Sequence, residues 1–477
     1  MDFSTSPQSL ELQRRLRDFM RQYILPYNAA WHQSVQAGVY PPAFVQDLKA
    51  LAQDEGLWNL FLPQLRDDEP GTRLSNLDYA PLAEIMGRIP WAAEVFNCHA
   101  PDTGNMELLH RFATPGQRTR WLAPLLRGDI HSAFAMSEPD VASSDPTNLQ
   151  TEVRSENEQW VIHGRKWFIT GAAHPDCKLL IVMCRNAVQT DAAATAETHH
   201  QHSLILVPMD TPGVQVVRNI AVVHHHAPEG HCEIVFKDVR VPKDHILGAW
   251  GEGFKLAQAR LGPGRVHHCM RTIGQCELAL QLATERALER QAFGKHLADY
   301  ANVQEWIAQS RIEIDQARLL VLQTAWLLDQ PDSDPSFVRA RVAAIKVVAA
   351  RLQTTVVYRA MQIFGAMGLS PDTPLAYFWT WGRALHLMDG PDEVHLRTVA
   401  RDELARAKAR PGEVTFSSSG SATIIHLAGE YFASEAGVKL LHVPFKGTAP
   451  SITSLLSGDV SWVFSAILPA LPLIKAG

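Results

Sequence analysis

The sequence predicts an α+β protein: a helical N-terminal domain, a middle β-barrel-like domain and a C-terminal four-helix bundle, with a short α/β tail. Three observations predict this order. Amphipathic helical periodicity runs from about Leu10 to Arg127, short β-rich runs replace it near His131, and the helical period returns after Gly253 and persists to about Ala409. The domains are accordingly drawn at residues 1–130, 131–245, 246–409 and 410–477.

In the first domain, capping-type residues and Pro/Gly punctuation, as in "FATPGQRTRWLAPLLRGD", separate the amphipathic runs. The second is read from "QWVIHGRKWFIT", "KLLIVMC", "HSLILVPM" and "CEIVFKDVRVP", short runs bounded by Gly, Pro and Asp. Between two of them the polar stretch "QTDAAATAETHHQH" (residues 189–202) reads as a mobile β-β connection. In the third, Val303, Ile307, Ser310, Ile314, Ala317 and Val321 alternate spacings of four and three, the seam of a helix packed along a neighbour. "ARPGE" breaks that pattern. The tail beyond it mixes Ser/Gly turns with a short helix and a strand, a piece of an α/β domain whose Ser and Gly residues are expected to be solvent-exposed or partly disordered.

The 477 residues allow about three domains, each able to bury a core. A composition 46% hydrophobic and 20% charged, with net charge -6, gives no reason to expect nucleic acid or an anionic membrane as partner. The N-terminal residues lack a basic segment followed by an apolar core, and Pro469 and Pro472 break the apolar end, so neither signal peptide nor membrane span is read and a cytoplasmic protein is expected. Six cysteines without a CxxC pair fit reduced, buried thiols.

Several stretches carry chemistry. "FAMSEPDVASSD" (Phe134 to Asp145) offers hydroxyl, carboxylate and small residues where the β region begins, and "KWFITGA" (Lys166 to Ala172) is an amphipathic strand with an aromatic residue and a hydroxyl. "ERQAFGK" (Glu289 to Lys295) reads as a helix ending at Gly294 with Arg290 beside its terminus, a natural diphosphate partner. "QIFGAMG" (Gln362 to Gly368) and "LGPGRVHHCMR" (Leu261 to Arg271) fall within the bundle. In "HLMDGPDEVH", Pro391 is placed at the first position of the last helix. Asp392 and Glu393 then lie in its first turn, where the helix dipole stabilises acids by roughly 0.3 to 1 kcal/mol each, and Asp389 is left without such a reason.

Together, and in this order, these stretches resemble the acyl-CoA dehydrogenase family of flavoproteins over about residues 5 to 408, with the particular wording of the branch that contains the kinase-fused long-chain enzymes and their bacterial relatives. The resemblance implies FAD held without a Rossmann fold, and no GxGxxG follows a strand. It implies that Met136 and Ser137 contact the isoalloxazine, that Ser144 lies near flavin and pantetheine, that Phe168 packs on the ring and that Thr170 reaches its N5 edge. This copy has one residue more than the usual spacing between Glu138 and Ser144, and Phe168 where many relatives have Trp. Arg290 and Phe293 would grip the flavin of a neighbouring subunit, and Gln362, Gly365 and Ala366 would receive the adenine end, so a homodimer or homotetramer is implied. Arg265 would line the acyl and pantetheine channel. Asp389 falls where the family's "YEGT" loop carries its catalytic Glu, with Met388 in place of Tyr and Pro391 in place of Thr, and is expected to be the base, its pKa raised by desolvation once substrate closes the site.

The activity so implied is FAD-dependent α,β-dehydrogenation of an acyl-CoA to the trans-2-enoyl-CoA in fatty-acid β-oxidation, with electrons passing to a separate electron-transfer flavoprotein or similar acceptor. An oxidase or monooxygenase resembling nitroalkane oxidase, a relative with an Asp base, keeps fold and cofactor but changes the chemistry. A third reading rests on the tail, which is similar to an internal segment of the solute-binding proteins of tripartite tricarboxylate transport and would make the chain a carboxylate-binding module. About 65 residues of one lobe make a passenger fragment the more sober reading. The "HHH" at 224 to 226 lies between strands, where alternation points neighbouring imidazoles to opposite faces, so no metal site is read there. The roles of His267 and His268 stay open.

Overall fold

The computed structural model describes residues 2–187, 200–409 and 411–476, so most of the polar stretch at 189–202 lies outside the described residues. The N-terminal helices are α1 (Pro7–Phe19), α2 (Leu25–Gln36), α3 (Phe44–Asp54), α4 (Asn76–Gly87), α5 (Ala92–Val95), α6 (Asp102–Phe112), α7 (Pro115–Gln117) and α8 (Ala123–Arg127). Their starts follow local chemistry: the side chains of Ser6, Ser75 and Thr114 each accept from the backbone N–H three residues on, and Thr114 with Gln117 closes a capping box.

The β region is one eight-stranded sheet of β1 (His131–Ala135), β2 (Glu152–Glu156), β3 (Gln159–Thr170), β4 (Cys177–Asn186), β5 (His202–Pro208), β6 (Val214–Asn219), β7 (His231–Pro242) and β8 (Ile246–Leu247). The order is β6-β7-β3-β2-β4-β5-β8, and β1 pairs with β4 in parallel. Strand period decides how it packs. On β4, Leu179, Ile181 and Met183 join the core of the N-terminal helices, whereas Leu180, Val182 and Cys184 join a second core with Val153, Ile162, Ile234 and Phe236.

The bundle is α9 (Gly253–Glu289), α10 (Ala301–Asp329), α11 (Pro335–Phe364), α12 (Leu375–Leu385) and α13 (Asp392–Ala409). On α10 the seam residues Val303, Ser310, Ile314, Ala317 and Val321 are buried and Ile307 is half-buried. The long α9 serves two cores: Leu256, Val266 and Met270 pack with the N-terminal helices, and Ile273, Ala279 and Ala283 with the bundle. Two glycines let α9 touch α4 backbone to backbone, because a Cβ at Gly274 would overlap the Glu84 carbonyl and one at Gly87 the Arg271 carbonyl.

Two expectations are corrected. The helix expected to run to Gly294 stops at Glu289, and Arg290 is already extended. Phe293 (φ 50°) and Gly294 (φ 81°) form the two-residue turn of a hairpin between β9 (Gln291–Ala292) and β10 (Lys295–His296), where paired positive φ values match the twist of the strands. The tail holds more than a helix and a strand: β11 (Thr415–Ser418), α14 (Ile424–Ala436), β12 (Leu441–Pro444), α15 (Thr448–Leu456), β13 (Trp462–Val463) and α16 (Ile467–Ala476) build a three-stranded parallel sheet in the order β12-β11-β13. Its serines are not all at the surface. Ser417, Ser418, Ser451 and Ser454 are buried, and Ser417 Oγ donates to the Ser451 carbonyl at 3.0 Å, because strand and helix hydroxyls satisfy one another where they meet. Among the described residues no helix is long and apolar enough to cross a membrane, and the six cysteines are buried and unpaired.

Candidate active site

Where β1 ends, Met136 and Ser137 are half-buried and Glu138 turns back into the sheet. Its carboxylate accepts from Gln150 N at 2.7 Å, Thr151 N at 2.9 Å and Lys166 Nζ at 2.8 Å, and the same ammonium donates to the Met136 carbonyl at 2.8 Å. Burial pushes the Glu138 pKa up, but Lys166 and the two amides outweigh it and hold the carboxyl below its usual value. This buried pair, which the sequence reading missed, ties the turn carrying Met136 and Ser137 to β3. Its signal was a lysine inside a strand otherwise rich in apolar residues. The hydroxyl that folds back is that of Ser143, which accepts from Glu138 N at 2.9 Å, and Ser144 is exposed.

Phe168 owes its position to a break in pairing. The β3–β7 register shifts between Lys166 and Ile169, and Phe168, with φ 50°, is pushed out and left 42% exposed. Thr170 Oγ1 lies 2.9 Å from His231 Nδ1. Burial takes the His231 pKa down to about 4, so the ring is neutral at pH 7.

The loop between α12 and α13 holds Asp389 in the left-handed region (φ 54°), followed by Gly390 (φ 103°). The Asp389 carbonyl accepts from Arg265 Nε at 2.8 Å and faces His395 Nε2 at 3.2 Å, so Arg265 grips the loop backbone. The carboxylate faces His268 Nε2 at 3.4 Å and Arg260 Nη1 at 3.9 Å. The expectation of a raised pKa concerns the site closed on substrate; in the protein as it stands the balance runs the other way. Burial does push the Asp389 carboxyl up, but the facing His268, Arg260, Arg265 and Lys346 prevail and hold it below the ordinary carboxylate range. Asp392 begins α13, one residue later than expected, and its carboxylate also meets His386 Nδ1 at 2.7 Å.

Arg260, Lys346 and Glu107 were missed in the sequence. Arg260 is 8% exposed, with Nε 3.2 Å from Asn105 Oδ1 and its guanidinium over the Phe134 ring at 4.9 Å. Lys346 is fully buried and donates to the Leu385 carbonyl. Glu107 on α6 is pushed up to about 8 by burial, against the pull of Arg111 and Arg260. One signal was available: Arg260, Gly264, His268 and Arg271 repeat at helical spacing and share a face of α9.

Arg290, Phe293, Gln362, Gly365 and Ala366 are all exposed. Phe293 stands 99% exposed at the hairpin tip, Gln362 Nε2 donates to Tyr358 OH at 2.8 Å, and Gly365 (φ 64°) ends α11 with open space where a Cβ would be. An aromatic ring on a bulged strand, an exposed guanidinium and an open glycine backbone fit the tricycle and diphosphate of a flavin dinucleotide. At the histidine run, Val223 and His224 make a tight turn, His224 and His226 are exposed, and His225 meets the Tyr377 ring at 5.1 Å. A separate buried cluster places Glu94, His131 and His174 close enough for a metal ion. Lys49 already pairs with Glu94 at 3.1 Å and His174 Nδ1 accepts from Asp176 N, which leaves the proton on His174 Nε2, 3.8 Å from Glu94 Oε1, so that nitrogen offers no lone pair to an ion.

Known proteins resemble this chain along most of its length. Family models described as the acyl-CoA dehydrogenase N-terminal, middle and C-terminal domains match residues 6–129, 133–239 and 251–404. A model of the tripartite tricarboxylate transporter family receptor matches 384–477. The chain is 50% identical over 414 residues to "Probable acyl-CoA dehydrogenase FadE2" of Mycobacterium tuberculosis, covering 86% of this chain and 98% of that one. It is 48% identical over 404 residues to mouse "Acyl-CoA dehydrogenase family member 10", where the match covers 84% of this chain but 37% of the longer relative. A solved structure from Mycobacterium abscessus, provisionally described as an acyl-CoA dehydrogenase, superposes with a TM-score of 0.79 at 46% identity, covering 84% of this chain and 99% of that one. The glutaryl-coenzyme A dehydrogenase complex with glutaryl-CoA (TM-score 0.72, 23% identity, 85% and 97% covered) shares the fold.

Proposed function

The chain belongs to the acyl-CoA dehydrogenase family of FAD-dependent oxidoreductases, and from that premise we propose that it converts an acyl-CoA thioester to the trans-2-enoyl-CoA with Asp389 as the base. The observation that carries the assignment is the Asp389 loop: a carboxylate kept ionised, presented on a left-handed residue that Arg265 and His395 hold through its carbonyl. Asp389 takes the α-proton. FAD, when bound, supplies the acceptor for the β-hydride. The carboxylate starts as an anion in a cationic surround, so substrate must displace water from it before it becomes a strong base.

Met136, Ser137, Phe168 and Thr170 are proposed to receive the flavin ring at the β edge, with Ser144 toward the pantetheine. Arg290, Phe293, Gln362, Gly365 and Ala366 are proposed to complete the site of a neighbouring copy in a homodimer or homotetramer, a reading supported by their exposure. Electrons are proposed to leave through a separate flavoprotein, in the cytoplasm. Asp389→Asn should keep its FAD and slow anaerobic flavin reduction by on the order of 10² or more with its best acyl-CoA. A wild-type rate in that variant overturns the base. Oxygen consumption without enoyl-CoA would transfer the site to the oxidase reading.

A further inference from the structure

We infer that His268 is a positioning residue for the base: locked by Arg271 into the tautomer that carries its proton on Nε2, it aims that N–H at Asp389 Oδ2 and orients the carboxylate. The inference rests on Asp389 being the base. The tautomer is set by a donor count. Arg271 Nη2 lies 3.3 Å from His268 Nδ1, and a guanidinium has donors only, so Nδ1 must accept and Nε2 must hold the hydrogen. Nε2 then faces Asp389 Oδ2 at 3.4 Å, a length that leaves room to tighten when substrate closes the site.

Arg271 is itself fixed. Its Nη1 donates to the Cys98 carbonyl at 3.3 Å, and the close α4–α9 crossing at Gly87 and Gly274 sets the backbone that carries it. A chain of contacts therefore runs from the Cys98 carbonyl through Arg271 and His268, both on the rigid α9, to the loop residue Asp389. The loop backbone is held separately, by Arg265 and His395. One set of groups fixes where the loop sits and another fixes where its carboxylate points.

The charged and titratable groups around the pair are Arg260, Arg265 and Arg271 on α9, Lys346 on α11 and His395 on α13, with Glu107 of α6 behind Arg260. Burial and Arg271 take the His268 pKa down to about 3, so the ring is a neutral donor throughout the working range. With Nε2 protonated and Nδ1 turned to Arg271, His268 has no lone pair for the proton that Asp389 takes from substrate. It orients the base and does not relay.

The test is the pH profile of anaerobic flavin reduction by a saturating acyl-CoA, in the FAD-loaded enzyme, for wild type, His268→Gln, His268→Leu and Asp389→Asn. Gln restores an N–H donor and Leu does not. His268→Leu should slow reduction at least 10-fold and move the acidic limb up by about one pH unit, the effect of losing one hydrogen bond to a charged group. His268→Gln should recover rate and limb to within about 3-fold and a few tenths of a unit. An unmoved acidic limb in His268→Leu, or equal losses in Leu and Gln at unchanged visible spectrum and melting temperature, would overturn the inference while leaving the base intact. Wild-type reduction by Asp389→Asn would instead remove the base reading on which it rests.

Discussion

Replacing Lys166 with Met probes the joint between the β sheet and the turn that carries Met136 and Ser137. Met matches the length of the lysine stem and keeps its packing, so what is lost is the ammonium. Lys166 is 0% and Glu138 3% exposed, which leaves the Glu138 carboxylate in the protein interior with two backbone amides and no counter-charge, and leaves the Met136 carbonyl without a donor. Removing one partner of a buried pair costs about 3–5 kcal/mol. The double variant Lys166→Met with Glu138→Gln removes the stranded charge while one amide keeps an acceptor, so it should lose about 1–3 kcal/mol. The double variant is therefore expected to be more stable than Lys166→Met alone by on the order of 2 kcal/mol, which shows that the two positions act as a pair. The assay is urea unfolding followed by tryptophan fluorescence, with FAD release followed by flavin fluorescence. Release should precede unfolding in the single variant, because the pair ties the motif to β3. A single variant that unfolds at the wild-type urea concentration and keeps its flavin would refute the reasoning.

Arg290→Ala should lower FAD occupancy after gel filtration more than it lowers the melting temperature of the apoprotein; equal retention of flavin counts against the shared site. Deleting Glu413 to Gly477 should leave dehydrogenase activity within about 2-fold, since every candidate site residue precedes 400. Because Ala407 and the partly buried Leu404 pack with Ala433 and Val438, the truncation is expected to cost some stability at the end of α13, at most about 1.5–3 kcal/mol for Leu404 and less than about 1 kcal/mol for Ala407. Acid should destabilise the protein from about pH 6.5 downward. His267 and His268 are depressed to about 3 and His231 and His395 to about 4, so the folded state keeps them neutral while the unfolded chain takes up protons near 6.5. The stability they preserve is complete above that pH and falls as pH drops toward their folded values, for His267 alone by about 2 kcal/mol between 6.5 and 5. A melting temperature flat from pH 7 to 5 would contradict this, and His267→Leu should reduce the slope.

Local rules made much of the molecule readable in sequence. Period-3.6 runs, period-2 runs and capping residues act over a few positions, so the succession of helical, β and helical regions is written in the residues, as is the seam on α10. The order of motifs carried the family, and "HLMDGPDEVH" singled out Asp389 because the helix dipole explains its acidic neighbours and not it. Tertiary structure decided what surrounds that residue. Arg260, Arg265 and His268 come from α9, Lys346 from α11 and His395 from α13, and only packing gathers three cations and two neutral imidazoles around Asp389, where the assembled site holds the carboxyl low. Phe168 is exposed through a register shift against β7, a partner more than sixty residues away, and the hairpin that presents Phe293 replaced a helix end because Ala292 and Lys295 pair. The serines of the tail are buried because β11 meets α15 across a sheet whose parallel order no short window contains. Electrostatics and strand pairing depend on distances in space, and the chain specifies those through its whole packed core.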